Sequence, residues 1–442
     1  MKTKRNLIQI WLLCAAVLQA VTSGAQPVTN VAVGEFHSLF IKSDGSLWGM
    51  GNNEIGQLGD GTYGSPPYFG INRPEQILAS NVKATAAGFF HSLFVRSDGS
   101  LWAMGANSYG QLGDGTYNTS TNLPEQIVAS GVTAIAAGYY HSLFLKSDGS
   151  LWAMGFNYYG GLGDGTTNTI NHPEQIVAGG VTAIAAGSVH SLFLKSDGSL
   201  WAMGYNGYGT LGDGTYNNTN KPEQIVANGV KAIAAGWQHS LFLKSDGSLW
   251  AMGDNNDGQL GDGTSDQTNR PEQIVASGVT AIAAGEYHSL FIKSDGSLWA
   301  MGDNEWGQLG DGTLNNTNRP EQIVASNVTA IAEGSISQHS LFIKSDGTLW
   351  GMGYNYYGEL GDGSFASETN RPEQVVALPP ALGISIYGNQ SVVFFPTSTG
   401  TNFVLQMTTN LASGNWATVT NGIPFSGLQI TNAPSPAFFR LH

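Results

Sequence analysis

Between His141 and Gly155 the chain reads HSLFLKSDGSLWAMG, in which two apolar runs, Leu143-Phe144-Leu145 and Leu151-Trp152-Ala153-Met154, flank a polar Lys-Ser-Asp-Gly-Ser stretch. An Asp-Gly pair between apolar segments supplies the positive φ angles of a tight hairpin, so two short antiparallel strands are predicted here. The runs are too short for helices. They are apolar at successive rather than alternate positions, which predicts strands buried on both faces, as when one sheet lies between two others. Such a hairpin cannot bury itself. The stretch returns almost unchanged six more times, so each copy must stack on its neighbours.

The histidine that opens each hairpin times the repeat: His37, His91, His141, His190, His239, His288 and His339, at intervals of 54, 50, 49, 49, 49 and 51 residues. Each unit holds a small-residue strand ending in glycine (Val132 to Gly138 in the third), the two hairpin strands, a long polar loop (Asn157 to Asn171) and a fourth strand, Pro173-Glu174-Gln175-Ile176-Val177. Four short antiparallel strands, seven times over, predict an all-β fold, a seven-bladed β-propeller that closes radially over residues 26–377. An open solenoid is the rival, and antiparallel Asp-Gly hairpins argue against its parallel coils. Short links such as Ala129 to Gly131 suggest that each PEQI strand pairs with the following repeat. The ring would then close through a blade shared by Val28–Gly34 and Pro372–Val376; two separate neighbouring blades are the alternative.

Both ends lie outside the period. Lys2, Lys4 and Arg5 precede an apolar run from Leu7 to Val21, and Ser23-Gly24-Ala25 offers small residues for cleavage, the pattern of a secretory signal peptide over residues 1–25. The run is shorter than the ~20 residues of a membrane span, so no span is expected in the mature chain. Cys14, the sole cysteine, lies inside this segment. Cleavage would leave no thiol for disulfides, metal ligation or catalysis. Leu13 is not the small residue a lipoprotein signal needs before its cysteine. At the other end, Leu378-Pro379-Pro380 reads as a stiff linker (378–384) before a small β-sandwich-like module over 385–442. Its strand-like runs are Ser391–Phe395, Phe403–Met407, Trp416–Thr420 and Ala437–Leu441.

Composition narrows the partner. Losing Lys2, Lys4 and Arg5 would take the formal charge from −14 to −17, and no run of Lys or Arg offers the basic stripe that phosphate backbones demand, so nucleic acid is not an expected partner. The 60 glycines recur at fixed repeat positions and are turn residues rather than low complexity.

The recurring segments AAGxxHSLFL, DGxLWAMG, NxxGQLGDGT and PEQI resemble the repeat of the regulator of chromosome condensation family from Val28 to about Val376. That resemblance implies a seven-bladed propeller. It leaves function open, because relatives include a guanine-nucleotide exchange factor, a plant ultraviolet receptor and a bacterial secreted inhibitor of β-lactamases. A signal peptide departs from a nuclear GTPase regulator, and the receptor-like Gly-Trp-x-His pattern occurs once, at Gly236-Trp237-Gln238-His239. The C-terminal VLQMTTNLASGNW segment and Phe-Phe-Arg-Leu ending resemble short modules of secreted bacterial proteins. Sorting, surface attachment or a cap over the propeller edge are the roles this resemblance implies.

The candidate chemistry is sparse. His141-Ser142 could suggest a base and nucleophile, but adjacent strand residues face opposite sides and the pair recurs in every repeat, so it reads as structural, each histidine bonding backbone at its turn. No catalytic residue and no cofactor are expected. His172 and His442 read as surface residues. Asp254-Asn255-Asn256-Asp257-Gly258 superficially resembles a calcium loop, but Gly258 stands at a ligand-bearing position and Gln259 where glycine should turn the chain. The GDGT segments, such as Asp164-Gly165-Thr166, read as turns closed by their own side chains, and no metal site is expected. Trp48, Trp102, Trp152, Trp201, Trp250, Trp299 and Trp350 share one repeat position and are expected to pack between blades.

Differences among the copies carry more information. One variable set lies between Gly and His: Glu35-Phe36, Phe89-Phe90, Tyr139-Tyr140, Ser188-Val189, Trp237-Gln238, Glu286-Tyr287 and the longer Ser335 to Gln338. The other surrounds the loop asparagine: Tyr158 and Tyr159, Tyr208, Asp254 and Asp257, Glu305 and Trp306, and Tyr354, Tyr356 and Tyr357. Antiparallel strands put both sets on one face and the constant Ser-Asp-Gly turns on the other. Aromatic rings with acidic neighbours on a rigid rim are what binding surfaces use. Tyr139, Tyr140, Trp237, Tyr287, Trp306 and Tyr357 are therefore the expected partner-binding anchors. The expected function is a secreted, cell-surface or periplasmic non-enzymatic scaffold that binds a protein or glycan on this face, with oligomeric state open. A small-GTPase exchange regulator and a hydrolase or lyase in the central funnel are the alternatives.

Overall fold

The computed structural model describes residues 26–376 apart from Glu333, and in the remaining chain the strands of residues 383–387, 390–394, 404–408, 417–421, 428–430 and 438–441. The chain divides into two compact units, of which Pro27–Val376 is the repeat region. The expected signal peptide, most of the linker and His442 lie outside the described residues. Among the described residues no helix is long and apolar enough to cross a membrane.

The repeat region is seven four-stranded antiparallel sheets, each with its strands in chain order. In the third blade these are Val132–Ala137, His141–Lys146, Leu151–Gly155 and Ile170–Val177. The hairpin pairs as its pattern requires, with His141 opposite Gly155 and Phe144 opposite Trp152. The second strand is buried at five successive positions in every blade, on both faces, because each sheet lies between two others. Leu143, Leu145, Leu151, Ala153 and Leu162 of blade 3 pack against Val181, Phe193 and Met203 of blade 4. The seam between the ends repeats this contact, with Phe40 and Met50 of blade 1 against Leu341, Ile343 and Leu349 of blade 7.

The expected shared blade is not formed. PEQI pairs with the third strand of its own repeat, Trp152 opposite Gln175 and Leu151 opposite Val177, so each blade is one continuous repeat. The links are short because they turn sharply. Asn81, Gly131, Gly180, Gly229, Gly278 and Asn327 all have φ between 69° and 85°, a left-handed conformation that glycine and asparagine tolerate. Backbone bonds then stitch the link to the turns beside it: Val181 N donates to Gly149 O at 3.0 Å and Ser147 N to Gly131 O at 2.8 Å. The same bonds close the ring, from Val28 N to Gly347 O at 3.0 Å and from Ser43 N to Pro27 O at 2.9 Å. Val28–Val33 and Glu368–Val376 thus belong to neighbouring blades.

The histidines differ from expectation in their partner. His141 Nε2 meets Ser191 Oγ of the next blade at 3.0 Å, and Ser191 Oγ donates to Gly161 O at 2.7 Å. The pattern runs round the ring and closes with His339 Nε2 and Ser38 Oγ at 2.8 Å. Each serine has one proton, directed at a carbonyl, so histidine Nε2 must be the donor and the ring is the neutral Nε2–H tautomer. Burial agrees, holding His37 near a pKa of about 3 and His141 near about 4. Backbone contact is relayed through serine because the imidazole reaches across the blade interface. It does so only beside glycine: a Cβ on Gly138 would collide with the His141 ring and the Gly187 carbonyl.

The tryptophans pack against the preceding blade but are half-buried, not enclosed. Trp152 stacks on Phe144 at 6.0 Å, donates Nε1–H to Ser150 Oγ at 2.8 Å, and carries Lys146 Nζ over its ring at 4.0 Å. The GDGT segment closes its own turn, with Thr166 N donating to Asp164 Oδ1 at 2.9 Å and Asn157 Nδ2 to the same oxygen at 3.0 Å. His172 is exposed on an outer strand.

The C-terminal unit contains two three-stranded antiparallel sheets. One joins Gly383–Tyr387, Gln390–Phe394 and Leu428–Ile430; the other joins Ala417–Asn421, Val404–Thr408 and Phe438–Leu441. Four of these strands fall within a residue of the runs predicted from the sequence.

Candidate recognition face

The Gly-x-x-His turns join first and second strands, and the Asn-x-x-Gly loops join third and fourth, so both emerge on one side of the ring. Each turn is fixed below by the histidine and serine bonds. Each loop is fixed by its asparagine, as where Leu162 N donates to Asn157 Oδ1 at 3.0 Å. The x positions are thereby freed from packing and held on a rigid support.

All six anchors named from the sequence fall in one connected array of rings. Trp306 contacts Tyr354 edge-on at 5.0 Å, and Tyr354 and Tyr357 contact Phe36 at 6.1 and 5.3 Å. Phe36 meets Phe89 at 6.0 Å, and Phe89 stacks on Tyr139 at 4.2 Å. Tyr139 touches Tyr140 at 4.2 Å and Trp237 at 5.0 Å, and Trp237 lies 6.4 Å from Tyr287. The Tyr139–Trp237 contact passes over blade 4, where the small Ser188 replaces an aromatic residue and donates its hydroxyl to Trp237 O. Phe36, Phe89 and Tyr354 join the anchors into one array; they lie in the variable sets, but nothing in sequence spacing shows that they bridge blades. Tyr109 and Phe156, which extend the array beyond Tyr140, were missed. Phe156 precedes the loop asparagine at a position that also varies between copies.

The acidic residues share this face. Burial and the charge of Glu286 push the Glu35 carboxyl up to about 9. Glu286, raised chiefly by burial, accepts Gln338 Nε2 at 2.8 Å. Asp254 and Asp257 are also raised by burial, Asp257 further by Asp303, Asp254 and Glu305. Glu359, fully buried and raised well above the usual carboxylate range, stands where other repeats carry Gln57, Gln111, Gln259 and Gln308. Its Oε2 accepts Tyr357 N at 2.9 Å, while Oε1 has no hydrogen-bond partner among the described residues. Burial and nearby acids raise the Tyr139, Tyr287 and Tyr354 phenols, which stay protonated donors. No Lys or Arg occurs in any Gly-x-x-His turn or Asn-x-x-Gly loop. Among the described residues no group of three or more His, Cys, Asp or Glu is arranged to hold a metal ion.

The model of the RCC1-like domain matches residues 14–226 and 174–418. The chain belongs to the RCC1-like domain family. Among curated RCC1-like relatives, human Protein RCC2 is 42% identical over 82 residues, 18% of this chain and 15% of that protein. The X-linked retinitis pigmentosa GTPase regulator homolog of Caenorhabditis elegans is 39% identical over 92 residues, 20% of this chain and 6% of that protein. The Arabidopsis thaliana ultraviolet-B receptor UVR8 is 31% identical over 100 residues, 22% of each. The matched segments thus span between 6% and 22% of those relatives' lengths. Among solved structures, Prp20p of Saccharomyces cerevisiae superposes with a TM-score of 0.67 at 22% identity over 80% of this chain and 87% of that one. Human WBSCR16 gives 0.65 at 24% over 72% and 88%. At these identities the likeness is one of fold, and the RCC1-like propeller inferred from the repeat motifs is the fold observed.

Proposed function

We propose that this RCC1-like propeller is a non-enzymatic recognition scaffold that binds a protein through its aromatic and acidic face and acts outside the cytoplasm after removal of residues 1–25. The carrying observation is the single ring array from Trp306 to Tyr287, set on a face without basic side chains in its turns and loops. Large rings held in place lose little freedom on binding and supply the best interface anchors. Yeast Prp20p, of the same fold, is described for its binding to Gsp1p and histones, and yeast RCC1 for its complex with Kap60, which supports a protein over a glycan. Replacing Trp237 and Trp306 together by alanine should abolish capture of the partner from medium or envelope fractions while the melting temperature holds. Undiminished capture would remove this reading, and release by soluble sugars would turn it to glycans.

A GTPase regulator is the second reading, favoured by the 39% identity to the C. elegans GTPase regulator homolog. Its test is acceleration of nucleotide release from a small GTPase, together with the position of the mature N-terminus.

A further inference from the structure

We propose that the funnel mouth between Glu35 and Glu286 seats a Lys or Arg side chain from a basic segment of the protein partner. This rests on the recognition reading above and adds the chemistry of the residue taken. Glu35 and Glu286 come from blades 1 and 6, on either side of blade 7, and are close enough that the charge of one suppresses ionisation of the other. Phe36, Phe89, Tyr139 and Trp237 form an arc of rings beside them. Ring faces attract ammonium and guanidinium groups, so rings and carboxylates favour the same occupant. Rings do not ligate metal ions, which sets this mouth apart from a metal site.

One further observation points to a cation. The turns and loops of the variable side carry Glu54, Glu305, Asp254, Asp257 and Asp303 with no Lys or Arg among them, whereas on the other side Lys42, Arg96, Lys146, Lys195, Lys244, Lys293 and Lys344 each stand over a tryptophan beside the aspartate of their own Ser-Asp-Gly turn.

The groups that face Glu35 are Glu286, Tyr139, Tyr140, Tyr354 and Tyr357, with no basic side chain among them. Near neutral pH, Glu35 carries its proton in the free protein. A cation between the two carboxylates lets both ionise, so binding should release about one proton.

The test uses the full chain with hexa-arginine and hexa-glutamate peptides, titrated calorimetrically at neutral pH and moderate salt in buffers of different ionisation enthalpy. Hexa-arginine should saturate with proton release, and hexa-glutamate should not bind. Glu35→Gln with Glu286→Gln should weaken hexa-arginine about tenfold and abolish the proton release. Asp148→Asn with Asp197→Asn, which removes two carboxylates from the opposite face, should change affinity less than about twofold. Melting curves confirm that each variant folds, and glutamine keeps the shape of glutamate. Equal losses in the two double variants, no loss in the first, or no saturation by hexa-arginine overturns the proposal. If partner capture fails with the tryptophan variants yet ignores the glutamine pair, the recognition reading stands and the cation falls. If it survives both, both fall.

Discussion

The two faces of the ring are built from the same repeat under opposite rules. On the Ser-Asp-Gly side every blade carries a basic side chain over a tryptophan, which donates to the serine or threonine two residues earlier; from blade to blade the bond holds at 2.8–2.9 Å. On the other side the equivalent positions range from Ser188 to Trp237. The first face is constant because each member is a packing partner of the next. The second varies because its support, the histidine, serine and asparagine bonds, lies one layer below and leaves the tips unconstrained. Repetition therefore marks what stability requires, and departures from it mark where specificity has room.

Perturbations should separate the layers in descending size. Acid should act most strongly, on the supporting layer. Six of the buried histidines, His37, His91, His141, His190, His239 and His339, have pKa values lowered from 6.5 to about 3 or 4, so the unfolded chain takes up protons the folded ring refuses. Stability should be fully present above pH 6.5 and fall as pH drops toward 3, each histidine steepening the slope by about 1.4 kcal/mol per pH unit. A flat denaturation midpoint between pH 6 and 4 would contradict this. Glu35 acts in the opposite sense: raised from 4.5 to about 9, it contributes stability that is lost as pH rises between those values, and Glu35→Gln should flatten that limb.

Next comes the shared core. Phe144→Ala, at a side chain with no exposed surface, should cost about 3–5 kcal/mol in urea titrations. The half-buried Trp152 should cost about 2 kcal/mol when cut to alanine, less than the full burial expected from its repeat position would imply. Equal midpoints for the two would mean that the stacked pair acts as one unit. On the variable face the effect should move from stability to affinity. Trp237→Ala and Trp306→Ala should each weaken a partner by about 2 kcal/mol while leaving the urea midpoint near that of the parent. The smallest change belongs to the constant face, where Lys146→Met should lose about 0.5–1 kcal/mol of cation–π attraction and leave binding unaltered.

Much of this was legible in the sequence because a sevenfold repeat averages away ambiguity. His141 and its six equivalents set the period, and Asp148-Gly149 set the hairpin. Strand direction alone placed Tyr139, Trp237 and Trp306 on one side. Three things were hidden. Ring closure depended on the left-handed φ of Gly131 and Asn81, and a short link was misread as a requirement for pairing. The His141 and Ser191 bond joins residues 50 apart and is invisible until the blades are stacked. The meeting of Tyr139 and Trp237 depends on Ser188 being small in the blade between them. Sequence shows which positions vary; the curvature of the ring decides which variable positions touch.

Closure by whole blades also has a topological consequence. The Val28 to Gly347 bond is the same bond that joins every other blade to its neighbour, so the seam is distinguished only by its missing peptide link. In the other blades three residues span that gap, as Ala178-Gly179-Gly180 do between Val177 and Val181. A circular permutant of the propeller that joins Val376 to Val28 through three such residues and opens at Gly180 should therefore trace the same ring, its array of rings intact and only the order of reading changed.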